Sequence, residues 1–302
     1  MKKDLTKLMD LSKEDIIKIL DLADKLKKER KDGIEHKILE GKSLAMIFSK
    51  SSTRTRVSFE AGIYQLGGQA MFLSTNDLQI GRGEPIKDTA RVLSRYIDGI
   101  MIRTASHEDV EELAEWSSVP VINGLTDFAH PCQVLADLMT IREHKGSLEG
   151  LNITYIGDGN NVCNSLVVGS LICGMKVSVV VPKGYEPNPA VLEFSGKYPG
   201  QFILTHEPKE GADKADVLYT DVWSSMGQES EAAERKKIFE GFQINRELLS
   251  YADENAIVLH CLPAKRGEEI TDEAFEVHAG SIFDEAENRL HAQKAVMALL
   301  MG

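Results

Sequence analysis

Cysteine is scarce in this sequence, and its spacing excludes several kinds of site. It occurs four times in 302 residues, as Cys132, Cys163, Cys173 and Cys261. No Cys-x-x-Cys pair or zinc-finger spacing is present, and a disulfide framework is not indicated. Because a reducing cytosol suits this usage better than an oxidising compartment, we expect a cytoplasmic protein.

Long apolar runs and an excess of basic charge are also missing. No run approaches bilayer length, and the charged N-terminal residues lack the apolar core of a signal peptide. The formal net charge is −12, which argues against a general surface for nucleic acid. We therefore expect neither a membrane nor a nucleic acid as a partner, and any anionic ligand must be held by local positive charge.

Short apolar runs alternate with helical patterns along most of the chain. A capping-box pattern at Ser12 and Asp15 predicts a first helix that continues to about Gly33. Strands are predicted at Ser43–Phe48, Gln69–Leu73, Gly99–Ile102, Val119–Ile122, Asn152–Ile156, Lys176–Val181, Gln201–Leu204, Asp216–Tyr219 and Ala256–Leu259. This rhythm and the chain length predict an α/β protein of two domains, each a parallel sheet with helices on both faces.

Two predicted helices suggest where the domains join. Pro131–His144 predicts a long helix between the two groups of strands, and Glu287–Leu300 predicts a helix after the last strand. We expect a first domain over residues 1–133 and a second over residues 134–285. The C-terminal helix, residues 286–302, is expected to return to the first domain.

Polar motifs follow several predicted strands, at the edge where open α/β sheets bind ligands. The run Ser52–Arg56 follows the first strand and opens a helix, whose free N–H groups and dipole favour an anion. Its hydroxyl and guanidinium groups would complete a phosphate site, although one capped helix start alone would be ordinary. The Walker A pattern is absent. Arg54 and Arg56 should face different sides of the helix, so we expect only one to reach the ligand directly.

Three other strand ends carry residues whose function can be inferred only together with the other motifs. Arg103 taken alone would be a surface charge. His130, at a helix start, should stay neutral and could donate to a developing oxyanion, or it could simply cap or pack. Asp221 could pair with an ammonium group, or lie in an ordinary turn.

Two further motifs suggest chemistry that we discount. The run Gly157–Asn161 lacks the third glycine of a dinucleotide fingerprint and the acidic residue that should follow it. In that run Asn161 could cap a helix or present its amide to an amino-acid ligand. Zinc at His260 and Cys261 is not expected, because neighbouring residues on a strand face opposite sides. A cysteine nucleophile would need a base that the spacing does not supply.

Together these motifs resemble the aspartate/ornithine carbamoyltransferase family over nearly the whole chain. The resemblance is carried, in order, by Ser52-Thr53-Arg54-Thr55-Arg56, Arg103, His130-Pro131-Cys132-Gln133, His260-Cys261-Leu262-Pro263 and Glu285-Ala286-Glu287-Asn288-Arg289. It implies an enzyme that transfers the carbamoyl group of carbamoyl phosphate to an amine. Asp221 with Ser225-Met226-Gly227 looks like an ornithine-binding loop, which implies ornithine as acceptor and citrulline as product.

The resemblance also implies roles for individual residues. The residues implied for carbamoyl phosphate are Ser52, Thr53, Arg54, Thr55, Gln79, Arg103, His130, Gln133, Cys261, Leu262 and Arg289, with Gln79 acting across a subunit boundary. Those implied for ornithine are Asn161, Asp221, Ser225 and Met226, and those implied for catalysis are Arg103, His130, Cys261 and Asp221. A homotrimer or a multiple of trimers is implied, without metal or organic cofactor. Arginine biosynthesis is preferred, while a catabolic role or another acceptor such as putrescine stays open.

Overall fold

A computed structural model describes residues 3–224 and 231–302 of the chain. The strands are β1 (Ser43–Phe48), β2 (Gln69–Ser74), β3 (Gly99–Arg103), β4 (Val121–Leu125), β5 (Asn152–Ile156), β6 (Lys176–Val180), β7 (Phe202–Thr205), β8 (Val217–Thr220) and β9 (Ile257–His260). The α-helices are α1 (Lys13–Lys31), α2 (Thr53–Gln65), α3 (Ile86–Leu93), α4 (His107–Trp116), α5 (Pro131–Lys145), α6 (Asn161–Ile172), α7 (Pro189–Ser195), α8 (Pro208–Ala212), α9 (Ala232–Ile238), α10 (Arg246–Leu249), α11 (Asp272–Val277) and α12 (Ala279–Met301).

The chain forms two compact units. The first comprises Met1–Ala136 and Asn288–Gly302, and the second comprises Asp137–Glu287. Each unit contains one parallel sheet covered by helices, so the expected α/β fold is confirmed. Within the described residues, no helix is long and apolar enough to cross a membrane.

The first unit is built on a four-stranded sheet in the order β2-β1-β3-β4. Its central strand β1 is apolar almost throughout and is buried from Leu44 to Phe48. A strand buried on both faces is what a parallel sheet with helices on each side requires. The capping box predicted for α1 is present, with Asp15 N donating to Ser12 Oγ and Ser12 N donating to the Asp15 carboxylate.

The second unit is built on a five-stranded sheet in the order β7-β6-β5-β8-β9. Helix α6, which follows β5, is apolar and is buried from Val162 to Ile172, so it lies in the core of the unit. Another part of the core packs around Ile156, Leu218 and Val258, one residue from each of the strands β5, β8 and β9.

Both sheets reverse their strand order at one point, and in open α/β sheets such a point forms a crevice for ligands. In the first sheet it lies between β1 and β3, where Phe48 is opposite Arg103. In the second it lies between β5 and β8, where Ile156 is opposite Thr220. The motifs predicted to bind ligands follow these strand ends.

All nine predicted strands are found, but several bounds differ from the prediction. Arg103 and His260 are the last residues of β3 and β9 and do not follow them. Strand β4 starts at Val121 and not at Val119, because Pro120 has no N–H for the ladder.

The C-terminal helix begins eight residues before its predicted start, at Ala279. Gly280 and the exposed Phe283 weaken the amphipathic helical pattern there. Glu285 therefore lies inside a helix.

Candidate active site

The start of α2 is a capped turn directly after β1. Ser52 has extended backbone angles and caps the helix, since its hydroxyl accepts from Thr55 N at 3.3 Å. Thr53 is exposed, whereas Thr55 is buried. Because the first N–H groups of a helix have no partner within it, they are available to an anion placed at this turn.

Buried guanidinium groups meet at Thr55. Arg103 Nη1 donates to Thr55 Oγ1 at 3.2 Å, and Arg289 Nη2 donates to the same oxygen at 3.4 Å. Arg289 Nη1 also donates to Gln133 Oε1 at 2.7 Å. We call Arg54, Arg103, Arg289, Thr55, His130 and Gln133 the arginine cluster. It joins α2, β3, α5 and α12 within the first unit.

His130 is the neutral member of the arginine cluster. Its pKa lies well below the ordinary value of 6.5, first because it is buried and then because Arg289, Arg103 and Arg54 repel a further positive charge. The imidazole is therefore uncharged at neutral pH, as expected from the sequence. A neutral ring can donate one hydrogen bond without adding charge.

The two arginines of the Ser52–Arg56 run diverge, as their spacing predicts. Arg54 is half-buried and its charge acts on His130. Arg56 is turned outward, where its Nε donates to Glu60 at 3.0 Å and its guanidinium lies 3.9 Å from the Phe72 ring centroid. Only Arg54 belongs to the arginine cluster.

Gln79 lies apart from this cluster, as an exposed residue at a short 3-10 helix, Ile80–Arg82. Its backbone oxygen accepts from Arg82 N at 2.8 Å and from Glu84 N at 3.0 Å. The side chain is thus available at the surface of the first unit.

In the second unit, Asp221 is the centre of a buried polar group. It directly follows Thr220, which is opposite His260 in the sheet, so Asp221 and Cys261 are neighbours. Cys261 Sγ donates to Asp221 Oδ1 at 3.1 Å, and Asn160 Nδ2 donates to Asp221 Oδ2 at 2.8 Å. The carboxylate is fixed from both sides.

Cys261 is a thiol and not a thiolate at neutral pH. Burial raises its pKa well above the ordinary value, and the nearby carboxyl groups of Asp221 and Glu285 raise it further. A nucleophilic cysteine needs a lowered pKa or a positioned base. The thiol here serves as a hydrogen-bond donor to Asp221.

The prediction that His260 and Cys261 face opposite sides is wrong. Because β9 ends at His260, Cys261 is free to turn, and ligand atoms of Asp221, His260 and Cys261 lie within 4.8 Å of one another. However, both ring nitrogens of His260 are engaged: Nδ1 accepts from Leu262 N at 2.9 Å, and Nε2 lies 3.0 Å from Glu269 Oε1. Without a free lone pair on His260, the group is a poor zinc site.

Sequence reasoning missed Asn160, which caps α6; the sequence pattern suggests Asn161 for that cap. Asn160 caps α6, since its Oδ1 accepts from Val162 N at 2.9 Å and from Cys163 N at 3.1 Å. Asn161 is the first helical residue, and its Oδ1 lies 3.0 Å from Val162 N. Two adjacent asparagines made the cap ambiguous in the sequence.

Two buried charges near the same loop were also missed. Arg235 Nη1 donates to Asp158 Oδ2 at 2.9 Å and to Trp223 O at 2.8 Å. The ion pair ties α9 to the turn after β5. No local pattern in the sequence links residues so far apart.

The glycines after β5 have a packing role. A Cβ on Gly159 would lie 2.4 Å from the Glu186 carbonyl carbon, and Gly159 N donates to Tyr185 O at 2.9 Å. At Gly159 the close approach is to the chain's own backbone, and Gly157 has a φ of 145°, so neither glycine requires a dinucleotide to explain it.

The fold and the site define an α/β protein with the arginine cluster in one unit and a buried carboxylate at a strand end in the other. Two family models match the chain. One, described as "Aspartate/ornithine carbamoyltransferase, carbamoyl-P binding domain", covers residues 3–143. The other, "Aspartate/ornithine carbamoyltransferase, Asp/Orn binding domain", covers residues 149–300. The chain belongs to the aspartate/ornithine carbamoyltransferase family.

Similar proteins match along their full length. An ornithine carbamoyltransferase of Carboxydothermus hydrogenoformans is 57% identical, with 99% of this chain and 98% of that protein covered. An anabolic ornithine carbamoyltransferase of Pyrococcus furiosus is 53% identical, with 99% and 96% covered.

Solved structures agree with this relationship. The ornithine carbamoyltransferase from Pyrococcus furiosus has a TM-score of 0.95 at 53% identity, covering 99% of this chain and 97% of that one. An anabolic ornithine carbamoyltransferase from Campylobacter jejuni has a TM-score of 0.92 at 45% identity, covering 99% of each chain.

Proposed function

We propose that this chain transfers the carbamoyl group of carbamoyl phosphate to the δ-amine of L-ornithine, giving L-citrulline and phosphate. The observation that carries the proposal is the arginine cluster, a buried group of guanidinium donors around a neutral histidine at the sheet's switch point. It suits a doubly charged donor whose carbonyl becomes an oxyanion. The relatives named ornithine carbamoyltransferase support the same substrates.

The first unit is proposed to bind carbamoyl phosphate. The phosphate lies at the start of α2, held by N–H and hydroxyl groups of Ser52, Thr53 and Thr55 and by the Arg54 guanidinium. Arg103 and His130 donate to the carbonyl oxygen. The remaining donor contacts are proposed for Gln133, Arg289, Leu262 and Cys261, and for Gln79 from a neighbouring subunit.

The second unit is proposed to bind ornithine. Asp221 is a buried carboxylate whose two oxygens are already oriented by Cys261 and Asn160, so it can meet the ammonium of the acceptor. Asn161 presents its amide at the start of α6. Ser225 and Met226 lie outside the described residues, and their proposed part in binding rests on the sequence motif.

The chemistry needs few catalytic groups. The neutral δ-amine attacks the carbamoyl carbon, negative charge builds on the carbonyl oxygen, and the bond from carbon to the phosphate oxygen breaks. The amine proton passes to the departing phosphate. Arg103 and His130 stabilise the oxyanion because they are placed before the reaction begins. We propose that neither a metal nor an organic cofactor takes part.

We place the reaction in arginine biosynthesis. Two similar proteins carry the word anabolic in their names, one from Pyrococcus furiosus and one from Campylobacter jejuni. They support this direction over catabolic use of the same site.

We also propose a homotrimer located in the cytoplasm. Exposed apolar side chains of α2 and the edge strand β2 support a subunit interface: Val57, Tyr64, Met71 and Phe72. Exposed Gln79 is available to a neighbouring subunit. All four cysteines are free thiols, which suits a reducing compartment.

An acceptor panel tests the proposal. Purified protein is given carbamoyl phosphate with ornithine, putrescine, acetylornithine or aspartate, and the carbamoylated product and phosphate are quantified. Ornithine should give the highest kcat/KM by far. Preference for another acceptor would refute the ornithine assignment but keep carbamoyl transfer, whereas no carbamoylated product with any acceptor would refute both.

A further inference from the structure

Glu285 is a buried carboxyl group that the proposed chemistry does not use. It lies on α12 with no exposed surface. One of its oxygens accepts from His260 N at 2.7 Å, and the other accepts from Tyr219 OH at 3.2 Å. A single side chain thus links α12 to the carboxyl ends of both β8 and β9.

A second buried carboxyl group, Asp137 on α5, is hydrogen-bonded to Glu285. Two adjacent buried carboxyl groups do not both ionise readily. Burial raises the pKa of Glu285 well above its ordinary value, and Asp137 raises it further, against the lowering effect of the donors His260 N and Tyr219 OH. A hydrogen bond between two carboxyl groups needs a proton on one of them, so the pair as arranged here shares a proton.

The two strand ends held by Glu285 lead directly to the proposed acceptor site. Tyr219 is two residues before Asp221, and His260 immediately precedes Cys261. Tyr219 also stacks on Tyr155, with 5.9 Å between ring centroids. Displacing Glu285 would therefore displace the ends of β8 and β9, and with them the Asp221 carboxylate.

We propose that Glu285, hydrogen-bonded to Asp137, is a positioning residue that fixes the ends of β8 and β9 so that Asp221 and Cys261 face the acceptor correctly. The role rests on the proposed function, because it concerns the ornithine half of that site. Glu285 acts through the backbone of β9 and the phenol of Tyr219, and it does not touch substrate.

The variants differ in the hydrogen-bond acceptors that residue 285 offers to His260 N and Tyr219 OH. Glu285→Gln leaves one acceptor oxygen where two are needed, so either His260 N or Tyr219 OH loses its partner. Asp137→Asn supplies a permanent donor and leaves both Glu285 oxygens as acceptors. Ser281→Ala is the matched control: Ser281, also buried on α12, donates to Val258 O at 2.7 Å and so removes a contact to β9 away from the site.

Kinetic constants and Tm together distinguish a positioning role from a purely structural one. Glu285→Gln should lower kcat/KM for ornithine by about 10- to 100-fold, as small misplacements of reacting groups do, with the KM for carbamoyl phosphate close to wild type. Asp137→Asn should stay near wild-type kcat at neutral pH. Ser281→Ala should lower Tm without lowering kcat.

The shared proton gives a second readout that a merely structural role would not change. The titratable groups around Glu285 are Asp137 on α5, Tyr219 and Asp221 at β8, and His260 and Cys261 at β9. Because the folded pKa of Glu285 is raised, its contribution to stability is complete below the ordinary 4.5 and is lost as pH rises through the folded value. Asp137→Asn keeps the burial of Glu285 but removes the further rise caused by the second carboxyl group. Wild-type Tm should therefore fall relative to Asp137→Asn as the pH is raised above 4.5.

Two outcomes would overturn the proposal. One is a Glu285→Gln variant that keeps wild-type kcat/KM for ornithine; the other is a Tm difference between wild type and Asp137→Asn that does not change with pH. Wild-type citrulline formation is measured in the same assays. If wild type forms none, the proposed function fails, and the Tm comparison still tests the shared proton by itself.

Discussion

Arg103 shows how a single residue acquires a role from its surroundings. It ends β3 opposite Phe48, so its side chain enters the turn that starts α2, and its guanidinium reaches Thr55. His130 contributes a neutral donor beside it, because burial, together with three guanidinium charges, lowers its pKa and prevents protonation. The two residues are preplaced for negative charge that develops on a carbonyl oxygen.

Arg103→Ala and His130→Ala should each lower kcat by ~10²–10³, the usual effect of removing one oxyanion donor. The measurement is steady-state citrulline formation at saturating carbamoyl phosphate. Arg91→Ala is the control, since Arg91 lies in the same unit, is half-exposed and packs over Trp116. Near-normal turnover in both active-site variants would show that neither residue stabilises the transition state.

Sequence reasoning found the residues whose motifs are local and missed those whose partners are distant. The Ser52–Arg56 run could be recognised because cap, hydroxyls and arginines are contiguous. Glu285 lay in a recognised motif, but its partners Asp137 and Tyr219 are separated from it by many residues. Only the folded sheet brings such groups together.

Helix α12 places an unusual buried lysine in the first unit. Lys294 Nζ lies 2.6 Å from His36 Nε2 and donates to Gln65 Oε1 at 3.0 Å. Burial, together with the charge of Arg30, lowers the pKa of Lys294 to about 8. Helix α12 thus places Arg289 in the arginine cluster and, further along, carries Lys294, whose lowered pKa makes it easy to neutralise.

The lowered pKa of Lys294 predicts a pH-dependent stability. The unfolded chain keeps this proton up to about 10.5 and the folded chain only up to about 8, so the contribution of Lys294 to stability should increase as pH rises between these values. Tm of wild type and Lys294→Met is measured from pH 7.5 to 10, and wild type should gain relative to the variant. Lys18→Met, which replaces an exposed lysine on α1, is the control; a Tm difference for Lys294→Met that does not change with pH would contradict the prediction.

Periodicity predicted the existence of the strands better than their ends. Strand β9 extends one residue further than its apolar run, because His260 pairs with Thr220 and its buried ring has Glu269 as a partner. Polar residues at strand ends are stabilised by tertiary contacts that an apolar pattern cannot register. The errors at Arg103 and His260 therefore fall where proposed functional residues lie.

At the level of the whole molecule, each sheet positions one half of the proposed reaction. The switch point between β1 and β3 collects cations, and that between β5 and β8 carries a carboxylate. An overall charge of −12 gives no general attraction for carbamoyl phosphate, so the arginine cluster must supply it locally. The proposed trimer would complete the donor site with Gln79.

The assembly prediction can be checked by light scattering after gel filtration. Wild type should have about three times the chain mass of 33.4 kDa, or a multiple of that trimer mass. Met71→Asp, on the exposed edge strand β2, should dissociate the trimer and reduce activity, because it places charge in an apolar contact. Ile203→Asp, an exposed apolar residue on the edge strand β7, should stay trimeric. A monomeric wild type with full activity would be incompatible with a shared site.

Carbamoyl transfer to ornithine is tested most directly by following the carbamoyl carbon. Carbamoyl phosphate labelled with ¹³C in that position is incubated with ornithine and the purified protein, and products are resolved by NMR. We predict that the label appears in citrulline with one phosphate released per citrulline, and that Arg103→Ala slows both equally. Phosphate release without labelled citrulline would contradict the transfer.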